Sequence, residues 1–382
     1  MKELTYSNLK QLKPTSYILI DTRDSGSILY GMIPGAIHIE EQELYATLAR
    51  YAKEFDPKKD VILYCQRGVR SINLAEAFEE QGRECCSLSG GYLAYLRDTV
   101  SSDKQSSEIQ PKAENSIRQK YHKQLFTPFA KACKQYQLIR EGDHIAVCIS
   151  GGKDSMLMAK LFQEIQTHRQ VNFDLTFLVM DPGYNADNRS LIEHNAKSLG
   201  IPITIFESSI FDAVDTVEKN PCYLCARMRR GYLYRKAKEL GCNKIALGHH
   251  YDDVIETILM GMLHGGQVQT MMPKLHSTNF EGMELIRPMY LIREADICKW
   301  RDYNELHFLQ CACHFTETCT TCHEDGTTSS KRLETKKLIA ELKKTNPQVE
   351  ANIFNSVSNV NLSTVIAYKE DGVKHHFLDS YE

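Results

Sequence analysis

The stretch His144-Ile-Ala-Val-Cys-Ile-Ser150-Gly151-Gly152-Lys153-Asp154-Ser155 decides how this chain of 382 residues folds. Its first six residues form an apolar run of strand length, and a helical pattern opens directly afterwards at Met156-Leu-Met-Ala-Lys-Leu-Phe162. Between them, Gly151 and Gly152 let backbone N–H groups come close to oxyanions. The helix N-terminus adds partial positive charge and Lys153 adds a full one. Strand, glycine loop and helix start together make a phosphate site for a nucleotide. The spacing is not that of the G-x-x-x-x-G-K-S/T loop, and an acid follows the lysine.

Further apolar runs at 175–180, 203–205 and 244–247 read as strands separated by helical segments, and a helix over 118–138 leads into the loop. That alternation implies an α/β domain with a parallel sheet, its ligand lying beyond the carboxyl ends of the strands. Upstream, strands at 17–20 and 61–64 and helices at 44–55 and 71–81 make a second α/β domain over residues 1–97. Residues 98–116 are polar without hydrophobic period, which reads as a flexible linker spanning about 25 Å r.m.s.. The nucleotide domain takes residues 117–382. Past residue 308 its pattern breaks into a cysteine-rich stretch and then a basic helix over 331–344.

Hydrophobic residues are 42% and charged residues 25%, an ordinary composition for a soluble globular protein. No apolar run reaches the roughly 18 residues of a membrane span, and the start Met1-Lys-Glu-Leu-Thr-Tyr-Ser7 lacks the apolar core of an export signal. A cytoplasmic protein away from membranes is expected. Thirteen cysteines then suggest thiol chemistry or metal ligation rather than disulfides. Cys133, Cys148, Cys242 and Cys298 sit among apolar residues and read as small core side chains. With a net charge of −3, any nucleic-acid partner must use a local basic patch.

Cys65 ends the strand at 61–64, and Gln66-Arg67-Gly68-Val69-Arg70 curls before the next helix. Loop N–H groups, a helix N-terminus, Arg67 and Arg70 each favour a thiolate there, and the same cradle suits an anionic persulfide. A tyrosine-phosphatase loop needs Cys-x5-Arg, and here the arginine comes one residue early. Four motifs, at 18–23, 31–38, 64–71 and 88–94, resemble a rhodanese domain. A rhodanese-like fold without sulfur chemistry usually lacks the loop cysteine, and this chain has it.

The loop at 150–155 resembles the PP-loop of the ATP pyrophosphatases, enzymes that cleave ATP between the α- and β-phosphates and activate an oxygen as its AMP ester. Two further segments join it. Cys222-Tyr-Leu-Cys225 is followed by Arg229-Arg230-Gly231, and residues 218–239 carry seven Lys/Arg against two Glu, a net +5 suited to RNA or to phosphates. Gly248-His249-His250-Tyr251-Asp252-Asp253 follows a strand and continues to Glu256-Thr257. Its aspartates are candidates to hold Mg²⁺ on the phosphates.

With Arg287-Pro288, these pieces resemble the tRNA 2-thiocytidine synthetase family over residues 117–365. The resemblance implies an adenine nucleotide alpha hydrolase-like fold. It also implies a 4Fe–4S cluster on three cysteines with one iron free to bind sulfur, and adenylation of a cytidine in a tRNA anticodon loop. Sulfur then displaces AMP. By that resemblance Cys222 and Cys225 would be two of the ligands; spacing from Phe308 favours Cys313 as the third, with Cys311 second. The family pattern is exceeded here, because Cys311, Cys313, Cys319 and Cys322 offer a tetrahedral zinc site as well. The rhodanese fusion is a second departure, and it leaves the sulfur donor open.

The combined expectation is an ATP-dependent tRNA sulfurtransferase, with Cys65, Arg70, Lys153 and Asp154 as catalytic residues. Ser150, Gly151, Gly152, Lys153, Asp154, Ser155, Gly248, Asp252 and Asp253 would hold ATP and Mg²⁺, while Cys222, Cys225 and Cys313 would hold the cluster or, in the alternative, zinc. The partners implied are tRNA and an upstream persulfide donor such as a cysteine desulfurase. A homodimer is compatible, and the tRNA position stays open. Two rivals remain: ATP-dependent sulfur transfer to or from a small-molecule base, and a zinc or redox-thiol sensor.

Overall fold

Short parallel strands followed by helices need a helix to cover each sheet face, and the chain supplies this twice. The computed structural model describes residues 2–28, 31–101, 106–208, 221–309 and 331–381. In the N-terminal part, β1 (Lys2–Leu4), β2 (Tyr17–Asp21), β3 (Ile37–His38), β4 (Asp60–Tyr64) and β5 (Cys85–Leu88) pair in parallel in the order β1-β5-β4-β2-β3. Strand β4 is buried from Val61 to Tyr64. Such a central strand reads as an unbroken apolar run because both of its faces are covered.

The second sheet is built from β6 (His144–Ile149), β7 (Asp174–Asp181), β8 (Ile203–Glu207), β9 (Lys244–Ala246), β10 (Lys274–His276) and β11 (Glu284–Ile286), in the order β10-β11-β9-β6-β7-β8. All neighbours are parallel except β10 with β11. From β6 the chain moves outward through β7 to β8, then returns to β9 on the other side of β6. The crevice beyond the carboxyl ends of β6 and β9 is therefore a topological switch point, where open α/β sheets bind ligands.

The stretch 98–116, expected as a flexible linker, is largely helical. Helix Gly91–Ser101 runs into its start, and helix Ser106–Arg118 fills its second half despite Pro111. Ala113, Ser116 and Ile117 are buried, and Ile109 packs against the same core. The signal is one residue every fourth position, a stripe too thin to stand out among polar neighbours. Glu114, within this stretch, accepts a 2.7 Å hydrogen bond from the buried Lys160. The helix expected over 118–138 is also interrupted. A π-helical turn at His122–Phe126 precedes helix Thr127–Gln135, whose first turn contains Pro128. Proline has no N–H to donate to a preceding turn, so it starts that helix rather than continuing one.

One hydrophobic cluster joins the two sheet domains. It contains Leu19, Ile62, Tyr64, Tyr92 and Tyr95 from the first, with Leu191, Leu306, Phe308 and Leu309 from the second. Residues Met1–His250 and Pro273–Thr327 accordingly make one compact unit, in which the two sheet domains meet at a packed junction. The other unit takes Tyr251–Met272 and Thr328–Glu382. It holds helices Tyr251–Gly265, Lys331–Thr345 and Val349–Ser356, and an antiparallel hairpin of β12 (Ala367–Glu370) and β13 (Val373–His376). Among the described residues, no helix is long and apolar enough to cross a membrane.

Candidate functional site

The loop after β6 is held by its own serines. Ser155 Oγ donates to the Gly152 carbonyl at 3.0 Å and accepts from the Ser150 N–H at 3.1 Å, while the Gly152 N–H donates to Ser150 Oγ at 3.4 Å. Gly151 has φ +84°, and a Cβ there would lie 2.6 Å from Ile192 Cγ1, so backbone conformation and space both demand glycine. Helix Lys153–Thr167 starts at once, with Gly152 as its N-cap, and its N-terminal N–H groups face the switch point. Gly248, after β9, packs against the Asp154–Ser155 peptide, where a Cβ would lie 3.3 Å from the Ser155 nitrogen. Ser150, Gly151, Gly152, Lys153, Asp154, Ser155 and Gly248 are thus brought together.

Lys153 is the unusual member. Its side chain is only 1% exposed, and Nζ donates to Asp154 Oδ2 at 3.2 Å and to Glu294 Oε1 at 3.1 Å. His250 Nε2 lies 4.0 Å from the other oxygen of Asp154. Glu294 is the first residue of helix Glu294–Tyr303, which packs on the helix that Lys153 opens. Sequence reasoning missed it, because nothing local connects it to a lysine 141 positions away. Cys298, one turn along the same helix, is corrected too. It is half-buried rather than a core side chain, and burial pushes its thiol up while Lys153 and Arg301 pull it down and Glu294 and Asp154 oppose them. Cys133, Cys148 and Cys242 are core residues, as expected.

The cradle around Cys65 has a different support. Cys65 is 6% exposed at the end of β4, and Ser71 Oγ donates to its Sγ at 3.5 Å. The Tyr92 N–H donates to the Cys65 carbonyl at 3.0 Å and the Leu93 N–H to that of Gln66 at 3.1 Å. Gly91, at φ +55°, makes this possible, since any Cβ would collide with the Cys65 carbonyl oxygen. Beneath the loop lies a buried ion pair, with Arg23 Nη2 2.6 Å from Asp21 Oδ2, and Tyr64 donates to the same carboxylate at 2.7 Å. The Arg23 guanidinium also stacks 3.8 Å from the Tyr92 ring centroid. Arg70 opens helix Arg70–Glu80, and its exposed guanidinium lies 3.8 Å from Glu41. The buried arginine of this domain is Arg23, whose part in the cradle the motif alone did not reveal.

The two sheet domains meet at a packed junction. Helix Gly91–Ser101 presents Tyr95 to His307 and Arg97 to Asp187, with Arg97 Nη2 2.5 Å from the carboxylate. A cavity of about 360 Å³ lies here, lined by Gly31, Tyr95, His194 and His307 among others. It is distinct from the phosphate loop.

Cys222 and Cys225 lie at positions two and five of helix Pro221–Glu239, three residues apart and so on one face of its backbone. Their side chains lie outside what the structure describes, as do Cys311, Cys313, Cys319 and Cys322. Three thiolates are a donor set that suits an iron–sulfur cluster, and four suit zinc. Asp252 and Asp253 fall in the first turn of helix Tyr251–Gly265. Asp253 accepts from Arg332 at 3.0 Å, and Arg332 also lies 3.5 Å from Glu256.

A glycine loop at a sheet switch point, in one compact unit with a cysteine cradle of rhodanese form, defines a nucleotide-binding class joined to a sulfur-handling one. Residues 117–313 match the PP-loop domain family, and residues 5–98 match the rhodanese-like domain family. The tRNA-cytidine(32) 2-sulfurtransferase of Paraburkholderia phytofirmans is 33% identical over 65% of this chain and 72% of its own. The protein of the same name from Coxiella burnetii is 34% identical over 65% of this chain and 93% of its own. Among solved structures, the U34-tRNA thiolase NcsA from Methanococcus maripaludis, with its 4Fe–4S cluster, superposes with a TM-score of 0.48. It is 23% identical and covers 61% of this chain and 76% of its own. The chain belongs to the PP-loop family that includes the tRNA-cytidine(32) 2-sulfurtransferases, carries a rhodanese-like domain before it, and is an enzyme.

Proposed function

We propose that this enzyme thiolates tRNA at the expense of ATP, converting a cytidine to 2-thiocytidine with sulfur first carried as a persulfide on Cys65. The observation that carries the reading is the packing of an intact cysteine cradle and a PP-loop into one unit. In the reaction, the base carbonyl oxygen attacks the α-phosphorus of ATP and pyrophosphate leaves; hydrosulfide, released from the Cys65 persulfide as a thiol reductant becomes a disulfide, then attacks the same carbon, and AMP leaves with the oxygen. Loop N–H groups at 150–155 and the helix start bind the phosphates, and Lys153 meets the charge that grows on them in the transition state. Asp154 and Glu294 fix the lysine. Asp252 is a candidate for Mg²⁺, with Asp253 engaged by Arg332.

At Cys65, Ser71 and the backbone around Gly68 and Gly91 hold the sulfur-bearing residue in place. An iron–sulfur cluster on Cys222, Cys225 and Cys313 would supply a metal-bound site for sulfur delivery. Basic residues on helix Pro221–Glu239, including Arg229, Arg230, Arg235, Lys236 and Lys238, suit the RNA backbone. The deciding measurement is mass spectrometry of nucleosides in tRNA from cells with and without this protein. Loss of 2-thiocytidine is expected on deletion, and an unchanged nucleoside profile would refute the reading.

A further inference from the structure

We infer that Glu294 is a positioning residue for ATP cleavage, acting through Lys153. The inference rests on the ATP chemistry proposed above and deepens it.

Lys153 stands in a place that is unfavourable to an ammonium group on two counts. It is almost fully buried, and it is the first residue of a helix, where the backbone dipole presents positive charge. Asp154 is its chain neighbour and reaches Nζ at 3.2 Å, but it also faces His250, 4.0 Å from its second oxygen. Glu294 comes from another element altogether, 141 residues along, and reaches Nζ at 3.1 Å from the start of helix Glu294–Tyr303.

That start is itself fixed. The segment after β11 delivers it beside the carboxyl ends of β9 and β6, and Ile297 and Trp300 anchor the helix in the core. A carboxylate held this way on a rigid element holds the lysine amine at the start of the helix that follows the loop. A lysine on a four-carbon stem would otherwise sample many rotamers. Misplacement of a catalytic charge by about 1 Å can cost on the order of 100-fold in rate. The short path from Glu294 to Nζ sets that placement together with Asp154.

The test is a double-mutant cycle on AMP release from ATP by the full-length protein, with tRNA present. Glu294→Gln keeps the shape and an acceptor oxygen but removes the charge. Turnover should fall about 10- to 100-fold with KM for ATP changed less than about threefold. In a Lys153→Ala background, Glu294→Gln should cause no further loss, because its effect passes through the missing amine. Thermal unfolding of each variant establishes that it is folded, and Glu294→Asp enters the same cycle if the glutamine variant is not. Losses that multiply would overturn the inference. So would wild-type turnover in Glu294→Gln, or tighter ATP binding with faster turnover, which would make Glu294 a competitor for the lysine. Release of ADP by the wild-type protein would instead overturn the proposed chemistry, so the two failures are distinguishable.

Discussion

Tyr95 Oη lies 2.7 Å from His307 Nε2, and the two rings meet edge to face with centroids 5.0 Å apart. Tyr95 belongs to the last helix of the rhodanese-like domain. His307 is followed by Phe308 and Leu309, and Leu309 reaches the nucleotide loop, where a Cβ on Gly151 would lie 3.6 Å from its Cδ1. Two residues therefore separate the domain junction from the phosphate loop. A donor loop swinging on a long tether is not needed to explain the fusion.

That junction should be sensitive to acid. Burial first, and then the charge of Arg301, push His307 down to about 4. In the unfolded chain a histidine titrates near 6.5, so as pH falls the unfolded state takes up its proton first. The stability His307 contributes is thus complete above about pH 6.5 and is lost on the way down to about 4, on the order of 3 kcal/mol in total. Melting temperatures of the wild type should drop more steeply over that window than those of His307→Gln. Parallel curves would show that the histidine is not held neutral at the junction.

Replacing Lys153 by alanine removes the buried cation from between two carboxylates. AMP and pyrophosphate release should fall by at least about 100-fold, the scale of a lost electrostatic contact to the transition state. Because Asp154 and Glu294 then lose the cation held between them, the melting temperature should fall as well. Turnover within a few-fold of wild type would remove Lys153 from the chemistry.

The Cys65 cradle makes a separate demand. Cys65→Ala should abolish tRNA thiolation from thiosulfate while leaving ATP cleavage intact, and inorganic sulfide should restore thiolation. Gly91→Ala should mimic it at the donor step with the thiol still present, since its Cβ would displace the loop by colliding with the Cys65 carbonyl. Wild-type rates with thiosulfate in Cys65→Ala would make the N-terminal domain a passenger.

Protein purified without oxygen should be brown and hold about four irons per chain. Cys222→Ala should lose most of the iron and all thiolation while still binding ATP. Cys313→Ser should do the same and Cys311→Ser should not; the reverse pattern would exchange their roles. Stoichiometric zinc without iron would replace the cluster by a tetrahedral site.

The strands β4 and β6 were legible because a parallel strand buried on both faces must be apolar throughout, and the loops that follow them were legible because glycine and cysteine are placed by local chemistry. The sequence by itself thus determined two α/β domains, the phosphate loop at 150–155 and the cysteine cradle at 65–70. Helix Ser106–Arg118 was hidden, since its stripe of Ile109, Ala113 and Ile117 gains meaning only when a partner surface covers it. Glu294 and Arg23 were hidden for a related reason. A buried charge is tolerable only beside its counter-charge, and which acid meets Lys153, or which face of Tyr92 meets Arg23, depends on strand order and helix packing rather than on spacing along the chain. Tertiary structure alone decided that the two domains share a core, because the apolar residues that join them are few on each side and become a surface only once both sheets have formed.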